Sequence, residues 1–283
     1  MACLEALRRD GADGDGGIEI VVVDQGERPA ELPAGLADRV LRPGRNLGFA
    51  AGTNLGIAAA AGELIAAVND DALVEPGWLA ALSAALEADP RAAAAQGVNL
   101  LLDDPERADG CGIAWNGWWQ AVQIGHGKPA PPPAAENREV FGVSATAALY
   151  RREALLAVSL AGPTGDAFDP GLVSYYEDVD LAGRLRAAGW RCLLVPAARA
   201  RHAGSATGRT LSRERWRLFY GNRYLVAARL FGRRFWPRLP VMIVRDLLDL
   251  ARAVLQGEGQ LAAGIVAGWV RAIRNLAGFA HFG

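Results

Sequence analysis

Residues 18–23, IEIVVV, form a short apolar run rich in β-branched side chains, interrupted only by Glu19, and the run stops at Asp24. A strand with one wet face alternates apolar and polar residues. A run without alternation suits a strand buried on both faces, as in a parallel sheet covered by helices. A second run, ELIAAVNDD at 63–71, ends in Asn69, Asp70 and Asp71. Further strands are predicted at 39–41, 92–102, 141–151 and 191–195. Helices are predicted at 3–9, after Gly48, from Pro76 to about residue 89, from Arg152, and across 175–189. The fold class is therefore α/β. Ligands of open α/β sheets sit beyond the carboxyl ends of the strands. Asp24 is thus placed to accept hydrogen bonds from a nucleobase or ribose, with a simple turn aspartate as the other reading.

The stretch YYEDVDLAGRLRAAG at 175–189 puts Glu177, Asp178 and Asp180 at the head of a helix whose apolar positions are Leu181, Leu185 and Ala188, with Gly189 as its stop. Acids near a helix N-terminus are favoured by the dipole and the unpaired amides. That accounts for one or two of them. Three carboxylates within four residues repel one another unless a cation, a proton or a substrate hydroxyl shares the site.

Between the two apolar runs, PGRNLGFAAGTNLGIAAAAG carries Gly48, Gly52 and Gly56 with Asn46 and Asn54 where a loop turns into an alanine-rich helix. Glycine permits close backbone approach, and a helix N-terminus offers amides to an anion. The adjacent carboxylates of Asn69-Asp70-Asp71 suit a divalent cation held against a diphosphate, because Mg²⁺ and Mn²⁺ take oxygen ligands; a solvated turn is the alternative. Trp115, Trp118 and Trp119 read either as hairpin core or as a platform for a sugar face.

Composition narrows the partners. With 51% hydrophobic and 22% charged residues in 283, the chain is globular, and no uncharged apolar run reaches the roughly 18 to 20 residues of a membrane span. No export leader is recognisable, so a cytoplasmic location is expected. Cys3, Cys111 and Cys192 lie far apart and suggest neither a disulfide nor a zinc site. The net charge is −1, yet residues 199–238 hold eleven arginines and His202 against the single acid Glu214. Such a stretch favours a phosphate-bearing substrate or an anionic membrane surface over a neutral metabolite.

Taken together and in order, VVVDQG at 21–26, NLGFAAGTN at 46–54, VNDDA at 68–72, FDPGLVSYYEDVDLAGRLRAAGW at 168–190 and RHAGSAT at 201–207 resemble the family 2 glycosyltransferases, in particular the rhamnosyltransferase-like members with the GT-A fold. The resemblance implies a Rossmann-like mixed sheet flanked by helices. It implies that Asp24, Asn46, Gly48, Asn54, Asn69 and Asp70 contact the nucleotide, that Asp71 and His202 hold Mg²⁺ or Mn²⁺, and that Asp178 is the general base. Glu177 and Asp180 would then meet the acceptor. It further implies inverting transfer of rhamnose or another hexose from a nucleoside diphosphate sugar to a hydroxyl of a saccharide or lipid-linked acceptor, in the synthesis of cell-surface polysaccharide or glycolipid. No nucleic-acid partner is expected.

Two departures stand out. Family members open with a strand before the helix that here begins at Cys3, so this chain reads as GT-A without its first strand. Processive members carry Q-x-x-R-W, where this chain has SRERW at 212–216, which favours single addition. Residues 1–225 read as the transferase domain and 226–283 as a helical extension. In that extension Val244, Leu247, Leu248, Ala251 and Leu255 share one helix face, with Arg245, Asp246, Asp249 and Arg252 opposite, and 261–276 suggest a second helix. These helices either pack on the catalytic domain or lie on the inner face of the cell membrane as a peripheral contact. Two rival functions remain open: a nucleotide-binding but inactive relative, and a metal-dependent phosphoryl-transfer enzyme.

Overall fold

A computed structural model describes residues 1–12, 17–160, 165–203 and 212–279. The run ending at Asp24 yields a strand of only three residues, β1 (Val21–Val23), which pairs in parallel with β2 (Arg39–Leu41). Ahead of β1, the Ile20 amide is diverted to the Asp38 carboxylate at 2.7 Å. Among the described residues β1 and β2 form a sheet of their own, covered by α2 (Phe49–Ala59).

The main sheet has the order β3 (Leu64–Val68), β10 (Ala147–Arg151), β5 (Ala92–Leu101), β11 (Arg191–His202), β4 (Ala72–Val74). β10 runs antiparallel to both its neighbours, β11 runs parallel to β5, and β4 runs antiparallel to β11. The short strands β6 (Ala108–Gly110) and β9 (Arg138–Val140) attach to β5 and β11, and β7 (Ile113–Trp115) with β8 (Ala121–Gln123) makes a separate hairpin. Helix α3 (Trp78–Ala88) buries Trp78, Leu82 and Leu86 on one face; α2, α4 (Arg152–Ala157) and α5 (Glu177–Ala187) cover the other with Ile57, Leu155, Leu181 and Leu185. β5 is alanine-rich and almost wholly buried, which lets both layers approach closely.

Several boundaries differ from the sequence reading for physical reasons. α1 (Ala2–Ala12) continues past Asp10, whose carboxylate reaches across to accept from the Gly77 and Leu79 amides at 2.6 and 2.8 Å, capping α3 in place of a local side chain. Residues 13–16, which follow α1, lie outside the described residues. β11 extends well beyond residue 195 because the register shift between Leu194 and Arg199 absorbs Pro196. Residues 141–146 are not strand; only 147–151 join the sheet. The three cysteines are buried and free, and Trp115 and Trp119 pack on Phe231 with ring centroids 5.1 and 4.7 Å apart, as hairpin core, while Trp118 is exposed.

The C-terminal quarter is a helical layer: α6 (Arg213–Phe231), a 3-10 turn at Gly232–Arg238, α7 (Leu239–Leu255) and α8 (Gly259–Phe279). α6 runs unbroken across residue 225. No helix among the described residues is long and apolar enough to cross a membrane. α6 and α8 pack backbone to backbone: a Cβ on Gly264 would lie 2.2 Å from Trp216 Cβ, and one on Gly268 would lie 2.8 Å from Tyr220 Cβ. α7 is turned opposite to the usual sense. Its inward face is Met242, Asp246 and Ala253, whereas the apolar stripe Val244, Leu247, Leu248, Ala251 and Leu255 faces out. That stripe therefore does not pack on the catalytic layer. The reason is a fully buried cation, Arg223 of α6, whose guanidinium pairs with Asp246 at 2.8 Å; Tyr224 and Trp269 also donate to Asp246, at 2.6 and 2.9 Å. An unpaired buried arginine costs far more than the outward leucines lose.

Gly264→Val should destabilise the protein by about 1–3 kcal/mol through overpacking against Trp216, read as a lowered urea midpoint with an unchanged slope.

Candidate active site

The register between β10 and β3, with Ala147 opposite Val68, fixes where the acidic motifs meet. Residue 146 thereby faces the end of β3, and the Asn69 amide donates to the Thr146 carbonyl at 2.8 Å. The neighbouring Ala145 amide hydrogen-bonds Asp178 from the other side. The Asn69-Asp70-Asp71 turn and the head of α5 thus flank residues 144–146 at one end of the sheet.

Asp71 is joined to His202 by the next register: β4 follows the turn, and His202 of β11 lies opposite Ala72. Asp71 Oδ1 is 3.2 Å from His202 Nε2, and Asp109 Oδ2 is 2.8 Å from Nδ1. Burial works to lower the imidazole's pKa, but hydrogen bonds to Asp109 and then Asp71 carry it up to about 9. Asp109, on β6, carries no local mark that singles it out: it is one acid in a turn-rich stretch, and only strand pairing brings it to His202. Asp70 is exposed beside them. Among the described residues no group of three or more His, Cys, Asp or Glu side chains forms a ready metal cage. Asp71 and His202 nevertheless fit a divalent cation as a carboxylate–imidazole pair, with Asp109 holding Nδ1 as an orienting carboxylate does in metal sites. Of the RHAGSAT motif, residues 204–207 lie outside the described residues.

The three acids of α5 have separate environments. Asp180, its side chain 3% exposed, pairs with Arg184 at 2.8 Å and with Arg229 of α6 at 3.3 Å, and Arg229 also holds Asp169 at 2.5 Å. This is a structural clasp, and it engages the carboxylate that was expected to meet an acceptor. Glu177 is buried with Oε2 lacking a hydrogen-bond partner. Burial, and then the charge of Asp178, pushes its pKa well above the ordinary carboxylate range. Asp178 is half-buried; burial raises it to about 6, while amides of Val179 and Ala145 pull the other way. Glu177 and Asp178 behave as one coupled pair that retains a proton where an exposed pair would have lost both.

The backbone before α5 is strained: Val173, Tyr175 and Tyr176 all have positive φ, of 65°, 67° and 71°. It is held from two sides. Asn222 Nδ2 of α6 lies 2.8 to 3.0 Å from the carbonyls of Leu172, Ser174 and Tyr175. At the start of α2 the Phe49 amide donates to Ser174 Oγ at 3.2 Å and the Ala50 amide to the Val173 carbonyl at 3.0 Å. Gly48, at φ 83°, has no room for a Cβ, which would sit 2.6 Å from Val173 Cγ1.

The leading amides of α2, expected to face an anion, are thus engaged within the protein. Asn46 accepts from the Gly48 amide at 2.8 Å as a local turn. Asn54 is also reassigned. Its amide makes reciprocal bonds with the Phe168 backbone at 2.7 and 2.9 Å, so it braces the fold. Asp24 accepts from the Ala30 and Gly26 amides and from Arg42, contacts that lower its pKa in that order of importance; in this structure it organises its own loop.

A family model described as glycosyl transferase family 2 matches residues 2–158, from α1 to the end of α4. No curated protein matches the sequence. Among solved structures the chain is similar to GalNAc-T7 with UDP, GalNAc and Mn²⁺, at 19% identity and TM-score 0.52, over 65% of this chain and 37% of that one. It is similar to the mannosyltransferase PcManGT from Pyrobaculum calidifontis in complex with GDP-Man and Mn²⁺, at 18% identity and TM-score 0.52, over 96% of this chain and 84% of that one. It is similar to S. aureus TarS at 17% identity and TM-score 0.50, over 82% of this chain and 37% of that one. The chain thus spans little more than a third of the first and third. At such identities the likeness establishes the fold, GT-A, with C-terminal helices.

Two substitutions separate the acids of α5. Asp180→Ala should cost about 3–5 kcal/mol, because it leaves Arg229 and Arg184 without their buried partner. Glu177→Gln should do the opposite. A carboxyl whose pKa is raised on folding keeps a proton that the unfolded chain sheds above pH of about 4.5, so wild-type stability falls as pH rises. Urea midpoints between pH 4.5 and 6.5, below the window in which His202 loses its contribution, should fall in wild type and fall less in Glu177→Gln, where the slope that remains below about pH 6 is that of Asp178.

Proposed function

The chain belongs to glycosyl transferase family 2, and on that premise we propose that it transfers a hexosyl group, rhamnose being the leading candidate, from a nucleoside diphosphate sugar to a hydroxyl acceptor with inversion at the anomeric carbon. The observation that carries this reading is the position of Asp178. It lies at the same end of the sheet as the Asp71–His202 pair, half-buried, with a pKa near 6 beside a Glu177 held protonated by burial. Two neighbouring carboxyls driven to different protonation states supply one base and one proton-bearing neighbour. At neutral pH Asp178 is the ionised member.

The acceptor hydroxyl gives its proton to Asp178 as its oxygen bonds to the anomeric carbon, and the bond from that carbon to the diphosphate oxygen breaks with the electron pair leaving on the diphosphate. A divalent cation bound at Asp71 and His202 would supply neutralisation of that diphosphate. Asp109 fixes the imidazole's orientation, Asn69 and Asp70 border the same turn, and protonated Glu177 is available to hydrogen-bond an acceptor oxygen. The Mn²⁺ and nucleotide ligands of GalNAc-T7 and of the Pyrobaculum mannosyltransferase support a nucleotide sugar and a divalent metal for this chain. In this reading residues 1–225 are the transferase domain and 226–283 its helical extension. The protein works in the cytoplasm in cell-surface polysaccharide or glycolipid synthesis, with a peripheral contact at the membrane's inner face. The alternative reading is nucleotide binding without turnover, in which Asp24, Asn54 and the α2 amides, all engaged within the protein, take no part.

Transfer decides between them. Asp178→Asn should lower the transfer rate by about 10² to 10⁴ while donor affinity stays within a few-fold, and the wild-type rate should rise with pH through about 6. Absence of transfer from UDP-, dTDP- and GDP-sugars, with nucleotide still bound, would select the inactive reading. Asp71→Ala should abolish the Mn²⁺ dependence of nucleoside diphosphate affinity, measured by calorimetry; unchanged dependence removes Asp71 from the metal site.

A further inference from the structure

The outward face of the C-terminal helices carries more apolar surface than a wetted helix needs. Along α7 the stripe includes Val244 and Leu248, about half exposed, and Leu255, 87% exposed. On α8, Val266, Val270 and Ile273 recur at helical spacing, Ile273 being 67% exposed. Immediately before α7, the 3-10 turn leaves Trp236 61% exposed between Arg234 and Arg238. Exposed apolar side chains gathered on two helices that pack together mark a contact site.

Charge identifies the occupant. Both acids of α7 are withdrawn from this surface: Asp246 is fully buried against Arg223, and Asp249 is held by Arg245 at 2.8 Å and by the Tyr220 hydroxyl at 3.1 Å. The exposed charges around it are mainly arginines, Arg233 and Arg234 ahead of α7, Arg252 on it and Arg274 on α8, against Glu258 in the connection between the two helices. A groove of about 900 Å³ nearby combines Arg213, Arg217 and Arg274 with Leu250, Val266 and Val270, cations beside an apolar floor. A second copy of the chain would bring the same cationic rim against itself. An anionic bilayer satisfies both components, accepting the apolar stripe at the acyl boundary and the arginines and tryptophan among the headgroups.

We infer that the outward face of α7 and α8, with the arginine-flanked Trp236 turn, docks on an anionic phospholipid bilayer. This rests on the peripheral contact included in the proposed function and gives it a surface and a lipid class. The helices lie in the interface and do not span it. The surface is also coupled to the acidic helix, since Arg271 of α8 donates to the Gly171 carbonyl at 2.6 Å and to Asn222 at 3.0 Å, and Asn222 holds the loop before α5.

Flotation of the full chain with phosphatidylglycerol–phosphatidylcholine vesicles, against phosphatidylcholine alone, tests this. The protein should float with the anionic vesicles and be released as salt rises. The double variant Leu248→Glu, Leu255→Glu should reduce flotation at least about ten-fold, and Arg233→Glu, Arg234→Glu by a similar factor, at roughly five-fold or more for each arginine. Both alter exposed positions, and an unchanged thermal midpoint confirms that each variant folds. No flotation, or equal flotation with neutral vesicles, would overturn the inference. So would a dimer in light scattering that Leu248→Glu, Leu255→Glu dissolves while vesicles remain unbound, which would assign the face to a second copy. Mn²⁺-dependent nucleoside diphosphate binding, measured without vesicles, reports on sugar transfer separately: its loss with flotation intact sinks the transferase reading and supports the docking surface.

Discussion

The loop from Asp169 to Tyr176 is the constraint on which the rest of this structure turns. Three non-glycine residues with positive φ cost on the order of 1–3 kcal/mol each, and such a conformation persists only where the surroundings over-determine it. Here they do so from several directions. α2 contributes its first amides, α6 contributes Asn222, and Arg229 clasps Asp169 and Asp180 on either side of the loop. The result is that α5 starts abruptly, with Glu177 buried and Asp178 held by the Ala145 amide.

That placement resolves the crowding of acids on the helix. Repulsion among three carboxylates is relieved by giving each a different environment. Asp180 has two guanidinium partners, Glu177 has burial and hence a proton, and Asp178 has amides and partial access to water. Only the last keeps partial exposure to water. The helix dipole favours ionisation of all three, but desolvation is larger for Glu177 and decides its state.

The legibility of the sequence followed the range of the interactions. Local signals served well: the short β2, the alanine-rich α2, α3 ending near Asp89, and α5 stopping before Gly189 all lie where periodicity and punctuation place them. What failed to show were side chains whose partners are distant in the chain. Asn54 looked like a ligand contact because Phe168, its actual partner, is 114 residues away. Asp180 looked like part of a triad because Arg229 is far downstream, and Asp109 was invisible until strand pairing set it against His202. The amphipathic pattern of α7 was legible, but its direction was not, because that depended on a buried arginine in another helix.

α1 is the least conspicuous element and binds the two sheets into one unit. Arg8 reaches the Ile18 and Leu36 carbonyls and the Asp38 carboxylate of the small sheet, at 3.3, 3.3 and 2.6 Å. Two residues on, Asp10 caps α3 of the main sheet, and Cys3 meets the Asn69 carbonyl at 3.3 Å. The small sheet has only three residues per strand and would open on its own. Tied through α1, it shares the fate of the large one, so that its amides gain hydrogen-exchange protection from a core they do not belong to. Fraying of this single helix would loosen the β1–β2 end and the Asn69 turn together.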